Sequence, residues 1–294
     1  MPHTHHSASE SISFSVALIC LALIYLCGWF RIRRMRLDRM EGWRAASFLS
    51  GLFLIWISVA SPLAALDHEL LTAHMIHHLL LMTFAAPLIW LGTPGKLLLQ
   101  GLPKRVVQSV IIPLGRCAQV KKVGNALAHP AVCWLAATAT LIAWHIPSVF
   151  MLALHSAMWH GFEDASFLVA GLLFWWPVIG PWSMGLRRPE WSILLYLFFA
   201  TLPCDILSGF LVFCDRVMYP VYMCSSRPFG LSPLQDQECA AALMWTCVTV
   251  VYLIPGTVIA ARLLSPNSPR QPWVLPDSQA TTVPRPAERS MEVV

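Results

Sequence analysis

The chain reads as an all-α polytopic membrane protein of seven transmembrane helices, with the N-terminus outside and the C-terminus in the cytoplasm. Three observations predict this. Of its 294 residues, 57% are hydrophobic and 12% charged, about half the roughly 25% charge of an ordinary soluble domain. Apolar runs of about 20 residues, the helix length that crosses the hydrocarbon, recur along the chain. The basic residues gather in alternate loops between those runs, as expected when positive charge stays inside.

Residues 1–11 are predicted to form a tail outside the membrane. Its His3, His5 and His6 read as a flexible tract in preference to a weak metal scavenger. The first span, Ile12–Phe30, has neither a basic stretch ahead of it nor a small-residue cleavage site, so it reads as a retained helix. Further spans follow at Trp43–Ala60, Leu70–Leu91, Pro130–Ile146, Met158–Ile179, Trp191–Leu211 and Cys239–Ala261. Pro and Gly punctuate their ends at Ser61-Pro62, Gly92-Thr93-Pro94, Ile146-Pro147 and Gly180-Pro181. Val106–Leu114 is too short to cross and is expected to lie at the interface, headed by Lys104 and Arg105 and ending at Pro113. The seven-helix domain covers residues 12–262. Residues 263–294 are rich in Pro, Ser and Thr and are expected to be a disordered cytoplasmic tail.

Charge orients the bundle. Arg31, Arg33, Arg34, Arg36, Arg39 and Arg44 fall in the first loop; Lys96, Lys104, Arg105, Arg116, Lys121 and Lys122 in the third. Arg187 and Arg188 follow in the fifth, and Arg262, Arg270, Arg285 and Arg289 in the tail. Only Arg216 and Arg227 lie opposite, so eighteen of the twenty Lys and Arg share one side. The net charge of +5 thus sits in short juxtamembrane loops and is no nucleic-acid signature. Nine Cys without a CxxC pair argue against a structural zinc module or a thioredoxin-like site. Cys214 and Cys224 share an outer loop, where a disulfide and two free thiols are equally compatible with the sequence.

This topology gathers seven of eleven histidines at the outer side: His68, His74, His77, His78, His145, His155 and His160. His74, His77 and His78 are spaced i, i+3, i+4 and share one helix face. His145 closes the fourth span. His155 and His160 bracket the start of the fifth, with Asp164 one turn further on. Asp67, Glu69, Asp215, Asp236, Gln237 and Glu238 are assigned to the outer loops. A single His near a helix end is usually an interfacial hydrogen bonder, and His68 and His155 fit that description. A group at one depth is different, because intramembrane ionisable groups are costly and default to function. His129, across the membrane, reads as a helix-start residue. Imidazoles suit copper, zinc, iron and nickel, whereas thioethers and thiolates favour cuprous copper. Met75, Met158, Met218, Met223, Met244, Cys204, Cys214, Cys224 and Cys239 on the same half tilt the choice toward copper. The metal-ligand candidates are His74, His78, His145 and His160, completed or supported by His77, Asp164 and Met75.

Several motifs together resemble the CtaG family of cytochrome c oxidase assembly factors associated with caa-type oxidases. They are Ser61-Pro62, His74-Met75-Ile76-His77-His78-Leu79-Leu80-Leu81-Met82, Ala86-Pro87-Leu88 and Leu91-Gly92-Thr93-Pro94. The likeness continues through His129-Pro130, Trp144-His145-Ile146-Pro147, Gly171-Leu172-Leu173-Phe174-Trp175-Trp176-Pro177 and Leu231-Ser232-Pro233-Leu234-Gln235-Asp236-Gln237. The resemblance spans roughly residues 45–262. It implies a multi-pass protein of a bacterial plasma membrane that helps mature the copper centres of the oxidase. The implied partners are oxidase subunits, copper chaperones and the bilayer. It also implies metal-site roles for His74, His78, His145 and His160. Two positions depart from the pattern: His77 replaces an expected Gln, and Asp164 replaces a common His, although a carboxylate can also ligate.

Three function classes follow. The leading one is a non-enzymatic assembly factor that holds or delivers copper at the extracytoplasmic face. A membrane di-iron oxygenase or desaturase is the second, since His74-x-x-His77-His78 and His155-x4-His160 resemble its HxxHH and HxxxxH boxes. Such enzymes carry a third box and place theirs on the cytoplasmic side. The third is a haem-binding protein with facing ligands such as His78 and His145. The charge bias makes a direct prediction: a reporter fused after Ala261 reads cytoplasmic and one inserted near Ser226 reads extracytoplasmic. The reverse pattern would place the histidines inside and favour the oxygenase class.

Overall fold

Prolines set several helix boundaries and distortions among the described residues, which are predominantly helical. The computed structural model describes residues 8–34, 42–61, 66–180, 189–225 and 229–265, and no strand occurs among them. The helices are α1 (Ala8–Arg34), α2 (Gly42–Ala60), α3 (Leu71–Leu91), α4 (Pro94–Gly101), α5 (104–116), α6 (Ala118–Leu127), α7 (Pro130–His145), α8 (Pro147–His155), α9 (Ala157–Ile179), α10 (Glu190–Phe213) and α11 (Pro233–Leu264). Six of them (α1, α2, α3, α9, α10 and α11) are long and apolar enough to cross a membrane, and α6 with α7 makes a seventh if this pair, bent by 67°, is one span. Large apolar side chains such as Ile206, Phe210, Leu253 and Ile254 face outward from α10 and α11, as the lipid-facing surface of a multi-pass membrane protein does. His3, His5, His6, Arg36, Arg39, Arg187, Arg188, Arg227 and the tail from residue 266 lie outside the described residues.

Helices stand at all seven expected spans, six of them long and apolar enough to cross by themselves, and their ends are corrected. α11 begins at Pro233, so Asp236, Gln237 and Glu238 sit in its first turns and not in a loop. α7 is only 16 residues, about 24 Å at 1.5 Å per residue, short of the ~30 Å hydrocarbon core. It ends because Ile146, held extended (φ −69, ψ 123) by the following proline, cannot continue it. Pro147, whose missing N–H costs nothing at a first helical position, then opens α8. The interfacial stretch does not stop at Pro113: α5 runs on to Arg116. It absorbs the proline through a π-helical stretch at Val107–Ile111.

The same device shapes α3. Leu80–Ala85 is π-helical. In that i→i+5 register the donor for the Met82 carbonyl would be residue 87, a proline without an N–H. The Trp175 indole of α9 donates to that carbonyl instead (3.2 Å), as the membrane interior demands of any freed backbone group. A Cβ on Gly171 would lie 2.8 Å from the Met82 Cα and O, so only glycine lets α9 approach this closely. Trp90 returns a bond to the Leu172 carbonyl (2.8 Å). These contacts run α3 and α9 in the same direction, with their first turns side by side.

Near the other end, Tyr25 of α1 stacks on Phe48 of α2 (3.9 Å) and its hydroxyl donates to the Gly92 carbonyl (2.8 Å). α1 crosses α4 at Gly28 and Gly101, where an added Cβ would overlap the Leu97 and Ile24 carbonyls. Gly28→Ala and Gly101→Ala are each expected to destabilise the detergent-solubilised protein by at least the about 1–3 kcal/mol typical of overpacking. Gly209→Ala, where nothing lies within 4 Å, should stay within about 0.5 kcal/mol of the parent, as open surface positions do. Thermal unfolding of the three variants checks this, and equal midpoints would mean that α1 does not seat against α4 through these glycines.

Candidate metal centre

The start of α3 is held from another helix. Leu70 at its N-cap offers no side-chain cap. Asp236 of α11 accepts from the Leu71 N–H (2.7 Å), the Thr72 N–H (3.1 Å) and the Thr72 hydroxyl (2.6 Å). A carboxylate there satisfies otherwise orphaned donors and opposes the positive end of the helix dipole. α11 has its own capping box at Ser232 and Gln235. Gln237, next in sequence, accepts from the Met218 N–H (2.7 Å) and donates to the Leu211 and Arg216 carbonyls (both 3.2 Å), tying down the segment that roofs the site. From that roof the Tyr222 hydroxyl donates to the Asp67 carbonyl (2.8 Å) and the Tyr219 hydroxyl to the His145 carbonyl (3.0 Å). Burial pushes both phenols above their ordinary pKa, with Asp67 adding to the effect at Tyr222. Both therefore remain donors.

Beneath the roof, two helices present titratable groups at the same spacing: His74, His77 and His78 on α3, and His160, Glu163 and Asp164 on α9. All six are buried, as is Asp67 just before α3. The His74 and His78 Nε2 atoms face each other at 2.9 Å. Glu163 Oε1 lies 3.5 Å from the first and 3.2 Å from the second. Glu163 Oε2 is 3.5 Å from His160 Nδ1. On the other side His77 Nδ1 meets Asp67 Oδ2 at 2.5 Å, and His77 Nε2 lies 2.9 Å from Asp164 Oδ1. His160 Nε2 is 4.0 Å from Asp67 Oδ2 and 3.9 Å from Asp164 Oδ2.

These donors fit a metal ion. Ligands about 2.0–2.1 Å from a tetrahedral ion stand about 3.3 Å apart, and the separations of 2.9, 3.2 and 3.5 Å within His74, His78 and Glu163 bracket that value. Neither Glu163 oxygen has a well-directed hydrogen bond, although the residue is fully buried. His77 Nε2 and Asp164 Oδ1 are close without hydrogen-bond geometry. Two nitrogens sharing one gap, or a lone pair facing a carboxylate, need a proton or a cation between them. Buried carboxylates surrounded by imidazoles are the setting in which a metal supplies that charge.

The structure thus brings His74, His77, His78, His160 and Asp164 together. His145 stands beside them: its Nδ1 donates to the Leu141 carbonyl (2.7 Å), which leaves its buried Nε2 without a partner. His145 and His78 line a cavity of about 50 Å³ with Met75, Met82, Cys204 and Met244, which places Met75 in the wall of that cavity. His155 is exposed and bonds its own helix at Met151, the behaviour of a helix-end residue. His68 is exposed, its ring 5.9 Å from that of His160. His129 caps α7 through the Ala131 N–H. Cys214 and Cys224 are free thiols. Sequence reasoning overlooked Glu163, the most buried acid of the group. The signal was available, because 160, 163 and 164 repeat the i, i+3, i+4 pattern of 74, 77 and 78.

Removing the cap tests how the site is held. Asp236→Ala should destabilise the protein by about 1–2 kcal/mol, the upper range for a lost helix cap. Glu238→Ala, exposed two residues away, should remain within about 0.5 kcal/mol. Thermal unfolding in detergent separates them, and matching midpoints would show that Asp236 does not anchor α3.

No solved structure matches this chain. It is 26% identical over 252 residues to uncharacterised proteins of Mycobacterium bovis and Mycobacterium tuberculosis, covering 82% of this chain and 37% of each relative. An uncharacterised protein of Mycobacterium leprae is 23% identical over 248 residues, covering 83% and 37% respectively. The chain therefore spans little more than a third of the length of these relatives. The model of the cytochrome c oxidase caa3 assembly factors (Caa3_CtaG) matches residues 23–265, and the chain belongs to that family.

Proposed function

We propose that this chain serves cytochrome c oxidase assembly by binding copper at the histidine end of its bundle, on the extracytoplasmic face of a bacterial plasma membrane, and passing it to an oxidase subunit. The observation that carries this reading is the buried trio of His74, His78 and Glu163, with nitrogens and oxygen converging at ligand-to-ligand separations. The cavity that His78 also lines strengthens the choice of copper, because thioether and thiol donors such as Met75, Met82, Met244 and Cys204 favour its cuprous state. The extracytoplasmic placement rests on the loop charges. The role is delivery, without catalysis. The three carboxylates beside the histidines favour a second reading, a non-haem iron enzyme, since two imidazoles with one carboxylate are an iron-binding set. Haem finds no support in a cavity of about 50 Å³.

Deleting the gene should lower copper-dependent oxidase activity while general membrane integrity persists. The intact chain should restore it, and His74→Ala/His78→Ala should not. Normal oxidase activity under copper limitation in the deletion strain, with no redundant factor, would remove the assembly role. Purified protein that carries iron and no copper would select the enzyme reading.

A further inference from the structure

We infer that the centre holds two metal ions side by side, with Asp164 between them; this rests on the reading of the cluster as a metal site. The donors fall into two groups that share no residue: His74, His78 and Glu163 form one, and Asp67, His77 and His160 the other. Within each, one ligand atom per residue lies within 4.8 Å of the others. Asp164 forms a third group with His77 and His78, one residue from each of the first two. That is the position of a bridging carboxylate.

A single ion does not account for this arrangement. An ion with donors about 2.0–2.1 Å away gathers four of them around one point, and here seven buried residues surround the space. His160 faces both groups: its Nδ1 lies 3.5 Å from Glu163 Oε2, while its Nε2 stands 4.0 Å from Asp67 and 3.9 Å from Asp164. Charge leads the same way. Three buried carboxylates face only imidazoles in their ion-pair contacts, and one cuprous or cupric ion balances at most two of them. Two cupric ions, each with two imidazoles and a carboxylate, bring enough positive charge to offset all three carboxylates and leave coordination positions open, which a site that releases its cargo requires. The paired i, i+3, i+4 faces of α3 and α9 supply the geometry: His74 and His78 pair with Glu163, while His77 pairs with His160.

The test is copper stoichiometry of the full-length chain in detergent, stripped with chelator, loaded with excess copper(II), desalted and kept oxidised. The expected result is two copper ions per chain, falling to one in Glu163→Gln, to one in Asp67→Asn and to none in the double variant. A chain carrying His3→Ala/His5→Ala/His6→Ala should still bind two. Cupric ions in a two-metal site stand about 3.5–4 Å apart, so their spins couple. The paramagnetic signal of the parent should then fall below its copper content, while Glu163→Gln should give a full single-ion signal. One copper per chain in the parent, bound through His74, overturns the pair and leaves the proposed function standing. Two copper ions with an uncoupled signal, or loss of one with the N-terminal histidines, also overturns it. No copper at all overturns both.

Discussion

Everything at the centre depends on how far α3 and α9 are slid along each other, and that register is fixed half a helix away. At Met82 a π-helical stretch meets a proline and leaves one carbonyl without a donor. Trp175 fills that need, Gly171 lets the backbones touch, and Trp90 closes the contact from the other side. Their effect is to set two parallel helices in step, so that position 74 faces 163 and position 77 faces 164. A slip of one residue would turn the donors about 100° around each helix and scatter them, since 3.6 residues make a turn.

The spans were legible because the bilayer imposes a length and polarity on each, and the helical spacing of His74, His77 and His78 survives in any sequence that forms a helix. What escaped was nearly all tertiary. α8 was invisible because Pro147 reads equally well as a stop or a start. Asp236 looked like a loop acid, yet it lies in α11 and holds the first turn of α3 across 165 positions of sequence. Glu163 was hidden by its company, an acid inside an apolar run, although its spacing from His160 repeats that of His77 from His74. His145 was grouped with the other histidines because it shares their depth. Its ring proves to be turned by Leu141 toward the cavity.

Burial of this many ionisable groups runs against stability, and the structure shows what offsets it. Each imidazole or carboxylate moved out of water loses solvation that only a partner of opposite charge or a metal returns. The roof supplies part of that environment. Tyr219 and Tyr222 donate to backbone carbonyls at His145 and Asp67, and Gln237 holds the strap that carries them. The two tyrosine rings are themselves buried against Phe150, while their hydroxyls and Gln237 tie α11, α3 and α7 to one another by hydrogen bonds. Such a layer keeps water out of the centre.

His78 belongs to both environments. One side of its ring faces Glu163 and His74, a hard donor set of nitrogen and oxygen. The residue also lines the cavity of Met75, Met82, Met244 and Cys204, whose sulfurs are soft donors. Copper is the first-row ion for which that contrast matters, because its cupric form prefers the first set and its cuprous form the second. On the copper reading, His78 would be a ligand shared by a set suited to the cupric ion and a set suited to the cuprous ion. The register set at Met82 then bears on both environments, because it aligns the donors of α9 beside His78 and Met82 itself forms part of the cavity wall.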